Sequence, residues 1–292
     1  MTAAAAPVPD ELFCPECGYS LRGIDDALRC PECGHALDRA RLTASNIPWT
    51  HRGDIGSIKA YVRTVRLVIR HPAHAADDVA RPVSFDDARK FRHATVLVAL
   101  APLLALFAWA CVEIVRSRPI AMSSTSAAPV RIGWLLQILL APVIVVALYA
   151  FLLAASGVAS YFFHPRRLPV ERQNRAVALS YYACAPLALT PLSIASVVIA
   201  LLVRQFLVTR TTSPVLIGVV LAGGALIPAI QVLAAGIAPL MMLRRATHCG
   251  LGRALALAAA LPIGWALLAV IIAIGIPAAY LFVAIVIMSL IA

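Results

Sequence analysis

Acidic residues almost vanish from this chain after its first third. Twelve of the fourteen Asp and Glu lie within residues 1–93, and only Glu113 and Glu171 follow. That scarcity removes most of the carboxylates from which ion and proton pathways are built in membranes. There is also no H-E-x-x-H, no G-x-S-x-G and no pair of aspartates inside an apolar run, so the usual intramembrane hydrolases have no foothold. The expectation is a protein that is not an enzyme. Charge of any sign is sparse, at 13% of residues, and the 61% hydrophobic content is far from a soluble composition. The first residues, Met1 to Pro9, carry no basic start and no long apolar core, so no cleavable signal peptide is expected.

What the chain does have is a duplicated pentapeptide. Cys14-Pro15-Glu16-Cys17-Gly18 returns as Cys30-Pro31-Glu32-Cys33-Gly34, after a gap of twelve residues between the cysteine pairs. C-x2-C twice is the arrangement of a four-thiolate zinc site. The proline stiffens each turn and the glycine supplies a positive φ. Redox dithiols, disulfides and a rubredoxin-like iron site are the alternatives; a reducing cytosol favours Zn2+. Around these cysteines lie only a few apolar side chains, among them Phe13, Tyr19, Leu21, Ile24, Leu28 and Leu37. So small a core needs a metal to fold. Cys111, Cys184 and Cys249 lie in or beside apolar runs and fit small buried hydrophobes.

Residues 1–11 fit a disordered lead, 12–38 a zinc ribbon, 39–53 a linker broken by Pro48 and Gly53, and 54–93 an amphipathic and juxtamembrane region. Within the last, Ile55, Ile58, Val62, Val65 and Ile69 recur at helical spacing beside Lys59, Arg63, Arg66 and Arg70. A basic stripe next to an apolar one marks a helix lying on an anionic leaflet; packing on the rest of the protein is compatible with it. His71, His74, Asp77 and Asp78 are a loose second cluster, better suited to a solvated juncture.

Apolar runs follow at roughly 94–115, 132–160, 176–203, 215–243 and 254–276. Each exceeds the roughly 20 residues that cross a bilayer. Residues 277–292, beyond Gly275-Ile276-Pro277, form a kinked extension or a sixth helix. The expected fold class is an all-α polytopic membrane protein of five or six transmembrane helices with a small N-terminal zinc ribbon. Basic residues near the runs divide eleven to five. Arg81, Arg89, Lys90, Arg92, Arg166, Arg167, Arg172, Arg175, Arg244, Arg245 and Arg253 fall on one side. Arg116, Arg118, Arg131, Arg204 and Arg210 fall on the other. The bias puts the N-terminus in the cytoplasm.

The third run opens Ala176-Val-Ala-Leu-Ser-Tyr-Tyr-Ala-Cys-Ala-Pro186, and a basic turn, Leu243-Arg-Arg-Ala-Thr-His-Cys-Gly-Leu-Gly-Arg-Ala254, precedes Leu261-Pro262. Over about residues 94–276 these patterns resemble the Yip family of five-helix membrane proteins with a cytosolic N-terminus. The ribbon resembles the zinc-ribbon heads of many bacterial membrane proteins, the high Arg-to-Lys and Ala content suggests a GC-rich bacterial gene, and the expected location is a bacterial inner membrane. The resemblance implies membrane organisation or sorting through partner contacts and carries over no catalytic residue. A small-solute transporter or channel with a regulatory ribbon is the alternative, resting on Gln137, Gln231, Ser180, Tyr181, Tyr182, Thr190, Ser193 and Ser196. Ribbon residues Arg22 and Arg29 face five acids, Glu16, Asp25, Asp26, Glu32 and Asp38, which argues against nucleic acid and for a protein partner.

Overall fold

The computed structural model describes residues 12–24, 29–38, 42–116, 128–163, 170–210 and 214–247, with isolated positions between 252 and 260. The expected disordered lead, the fifth apolar run and the tail after Pro277 lie outside the described residues or almost wholly so. Six helices carry the architecture: α1 (Ser57–Arg70), α2 (Phe85–Arg116), α3 (Ala128–Phe162), α4 (Val170–Tyr182), α5 (Thr190–Arg210) and α6 (Pro214–Thr247). Two compact units divide the chain.

The first unit comprises Met1–His93, Ser156–Pro186 and Leu233–Leu257. One buried carboxylate ties residues 45–47 to the turn at Asp77–Ala80. Asp78 sits in the 3-10 turn Asp77–Ala80. It accepts from Ser45 Oγ at 2.5 Å, from the Asn46 and Ile47 amides at 2.8 and 3.2 Å, and from Arg81 Nη1 at 2.5 Å. A buried charge survives only with such a set of donors. The described part of the expected linker is therefore held in place. Within the same segment, Trp49 donates from its ring to the Asp87 carbonyl at 2.8 Å, and its amide donates to Thr64 Oγ1 at 2.9 Å. Trp49, Tyr61, Phe91 and Tyr182 then stack at centroid distances of 5.0 to 6.2 Å, joining this segment to α1, α2 and α4.

The face of α1 that packs is not its apolar stripe. Ala60, Thr64 and Val68 are buried, on a different side of the helix from Ile58 and Val62, which are 82% and 57% exposed. Small residues at i, i+4, i+8 let the helix approach its neighbours, while Lys59, Arg63, Arg66 and Arg70 all face outward. The helix stops where the sequence required, since Pro72 begins the next short helix, Pro72–Ala76.

The expected third run, 176–203, is not one continuous helix. α4 ends at Tyr182, a 3-10 turn spans Ala185–Leu189 around Pro186, and α5 begins at Thr190. α4 buries Arg172, Gln173 and Arg175 as well as Ala176 and Leu179, so it packs within the first unit. Its apolar neighbours in sequence made it look like the start of a span.

The second unit comprises Ala94–Ala155, Leu187–Val232 and Ala258–Ala292. There α5, roughly 31 Å long at 1.5 Å per residue, matches the hydrocarbon core. Leu192, Ile199, Leu202 and Phe206 on α5 and Val215, Val219, Leu226 and Val232 on α6 are exposed, a surface that needs lipid rather than water. The polar residues between these helices serve one another. Ser193 Oγ donates to Gln231 Oε1 at 2.6 Å, Gln231 Nε2 donates to Thr190 Oγ1 at 2.8 Å, and Ser196 Oγ donates to the Gly224 carbonyl at 3.0 Å.

Among the described residues three segments are long and apolar enough to cross a membrane: Val145–Phe162, Val170–Leu207 and Val215–Thr247. Five runs were expected. The run at 94–115 is helical within α2 but is not among the three, and the fifth lies almost wholly outside the described residues.

Replacing Asp78 with Ala removes the carboxylate that accepts from Ser45 Oγ, the Asn46 and Ile47 amides and Arg81. The expected loss is about 3 kcal/mol, read as a lower unfolding temperature and faster tryptic cleavage in detergent; Ser45→Ala, which removes one donor, costs much less.

Candidate metal centre

Each CPECG repeat folds into one tight knuckle, and the two knuckles match bond for bond. The Gly18 amide donates to the Cys14 carbonyl at 2.9 Å and the Cys14 amide to the Tyr19 carbonyl at 2.8 Å. Likewise the Gly34 amide donates to the Cys30 carbonyl and the Cys30 amide to the His35 carbonyl, both at 2.8 Å. Gly18 and Gly34 adopt φ of 74° and 70°, as the sequence requires. One antiparallel bridge closes each knuckle, Phe13 with Ser20 and Arg29 with Ala36. Among the described residues these bridges do not extend into strands, so no sheet ladder holds the two halves together.

The sulfurs do converge. Those of Cys14, Cys17, Cys30 and Cys33 all lie within 4.8 Å of one another. Cys14 and Cys33 are 3.7 Å apart, and Cys17 and Cys30 are 3.6 Å apart. A tetrahedron with metal–sulfur bonds of about 2.3 Å has edges of about 3.8 Å, so the donor set fits a single ion. The same spacing is too long for a disulfide, which needs about 2.05 Å. Burial pushes the Cys14 thiol up and the Cys17 thiol up to about 12. Burial acts upward on Cys30 too, but the Cys33 and Glu32 amides and the neighbouring thiols bring it down to about 7. Amides aimed at sulfur stabilise the thiolate, the form that ligates a metal. Among the described residues this is the one group of His, Cys, Asp or Glu that could hold an ion; Asp77 and Asp78 of the looser cluster are bound to Arg245 and Arg81 instead.

The knuckles rest on the remainder of the first unit. Phe13, Cys14, Leu21, Cys30 and Leu37 share a core with Leu42 and Ala80 from outside the ribbon. The Ala80 carbonyl accepts from the Phe13 amide at 3.4 Å and from Arg175 Nη1 at 3.5 Å. Arg175 also lies 5.2 Å from the Phe13 ring and pairs with Glu171. Arg245, in the last turn of α6, reaches Asp77 at 2.7 Å and Glu16 at 3.5 Å. Arg172 fills the space beside Gly18 that a side chain there would occupy. These three arginines were legible in the sequence only as orientation charges. The Glu171–Arg175 spacing of i, i+4 was the one local hint that they also serve the structure.

Lys59, Arg63, Arg66 and Arg70 take no part in this centre and form an exposed row on α1. Cys184 is buried and donates to the Tyr181 carbonyl at 2.9 Å, as a small core residue; the side chain of Cys111 and all of Cys249 lie outside the described residues. Gln137 is likewise outside them at the side-chain level. No family model matches the chain, and neither does any curated protein or solved structure. The fold and site define a helical protein with membrane-length segments and an N-terminal four-cysteine site that could hold a metal ion.

Gly18→Ala meets both a strained φ and the Arg172 guanidinium, whereas Gly34→Ala shares the strained φ but meets open space. The first substitution is expected to lower metal retention clearly more than the second, measured as metal per chain after dialysis against a weak chelator.

Proposed function

We propose that the chain is a multi-pass protein of a bacterial inner membrane whose cytoplasmic ribbon binds Zn2+ through Cys14, Cys17, Cys30 and Cys33. It works as a non-catalytic interaction or membrane-organising module. The observation that carries this reading is the convergence of the four sulfurs in a chain that also holds helices of membrane length. Zinc is favoured over iron by its closed tetrahedral preference in structural sites made of four cysteines. The four thiolates close its shell, leaving no open position for catalysis, so the metal supplies folding free energy. The Yip resemblance rests on the sequence patterns alone, and with it the count of five crossings.

Orientation draws support from the ribbon's own contacts. Arg172, Arg175 and Arg245 touch the ribbon or its supporting turn, so the loops counted on the basic side meet the ribbon in one unit. The transporter alternative is weakened because Gln231, Thr190 and Ser193 satisfy one another. A protein partner of the ribbon would meet the face that its docking leaves open, where Tyr19, Cys17 and Cys33 are exposed.

Full-length protein in mild detergent should carry about one zinc per chain, lost in Cys30→Ser. Thiol labelling should place residues near 40, 170 and 248 inside and residues near 123 and 211 outside. Iron in place of zinc, or residue 170 outside, overturns the corresponding half of the proposal.

α1 is proposed to lie on the leaflet. Ile58 and Val62 face outward beside four exposed cations, each of which contributes about 1 kcal/mol near an anionic surface, less as salt rises. A peptide of residues 54–70 should bind anionic vesicles, become helical there and release at high salt. Changing Lys59, Arg63, Arg66 and Arg70 to Gln should weaken this far more than binding to neutral vesicles. Equal binding of the parent peptide to both lipids would assign the stripe to solvent alone.

A further inference from the structure

Arg172 is the largest fully buried side chain among the described residues, 1% exposed, and none of its three guanidinium nitrogens has a hydrogen-bond partner. A guanidinium cannot shed its charge in a protein. Buried charge without a counter-charge is among the costliest arrangements in a fold. The acids that might serve are committed elsewhere. Glu171, its neighbour in sequence, pairs with Arg175, and Glu16 in the first knuckle faces Arg245. What Arg172 does touch is the backbone at Gly18, the residue directly after the ligand Cys17. Its charge is therefore aimed at the first knuckle, against the thiolate centre.

A divalent ion held by four thiolates leaves a net charge of about −2. We propose that Arg172 is the counter-cation of this metal–thiolate centre, a positioning residue through which metal occupancy and the seating of the ribbon on α4 stabilise each other. The inference rests on the reading of the four cysteines as a zinc site. With the metal bound, the buried guanidinium beside Gly18 faces a fixed anion. Removing the metal removes that anion and leaves the arginine unpaired beneath the knuckle, which favours release of α4 from the ribbon. Linkage makes the effect reciprocal: whatever seats α4 also tightens the metal. Gly18 follows from the same geometry, since any side chain there would displace the cation.

The test uses the full-length protein in detergent with Zn2+ as the probe, in competition with a chromophoric chelator. Arg172→Met keeps length and burial but removes the charge, and it is expected to weaken zinc binding by about ten- to a hundredfold, the usual effect of losing a group that supports metal ligands. Arg172→Lys restores the charge and should recover most of the affinity. As a second readout, amide exchange across Val170–Tyr182 should accelerate in the wild type when zinc is chelated, and this dependence should shrink in Arg172→Met. Zinc affinity unchanged by Arg172→Met, or exchange in α4 indifferent to zinc in the wild type, overturns the proposal while leaving the zinc site standing. A wild-type protein that takes up no zinc overturns the zinc reading itself and this inference with it.

Discussion

Four sulfurs within 4.8 Å of one another are the constraint on which the N-terminal part of this protein depends. The two knuckles share no ladder of hydrogen bonds among the described residues; each closes on itself through one bridge. Their common core is a handful of side chains, two of which, Leu42 and Ala80, come from elsewhere in the chain. Such a core is too small to overcome the entropy of ordering the loops. The convergence of the cysteines, and the ion proposed to join them, is what makes the two halves one body.

Around that centre the first unit solves a recurring problem, the burial of charge. Asp78 collects four donors, including Arg81. Arg175 spreads its charge over Glu171, the Ala80 carbonyl and the Phe13 ring. Arg245 bridges Asp77 and Glu16. Because these partners come from distant parts of the sequence, the same contacts that neutralise charge also fix the ribbon to α4 and to the end of α6. The second unit meets a different solvent. There the exposed surface is apolar, and polar side chains such as Gln231 are satisfied between helices, as a hydrocarbon environment demands.

α1 shows how a correct pattern can carry an incomplete meaning. The helix runs over Ser57–Arg70 and carries Ile58, Val62, Val65 and Ile69, but Ile55 of the expected stripe belongs to a separate short helix, Arg52–Ile55, set off by Gly56 at φ 86°. Yet the buried face is Ala60, Thr64 and Val68, because a close approach to the Trp49 segment favours small side chains over large ones. Ile58 and Val62 of that stripe are thus left facing outward beside the basic row, while Val65 and Ile69 are half-buried.

From the sequence alone came the four cysteines that converge, the positive-φ glycines, the helix ending before Pro72 and the long apolar segments. Each is a local property, fixed by residue type and spacing within a few turns of chain. The tertiary structure decided the break of the third run at Pro186, since the burial of Arg172, Arg175 and Tyr182 outweighs the hydropathy of their neighbours. It also decided the roles of three arginines that look alike in sequence. An arginine's charge is visible in a list of residues, but whether it meets a lipid headgroup, a carboxylate or a cysteine knuckle depends on which distant segment the fold brings against it.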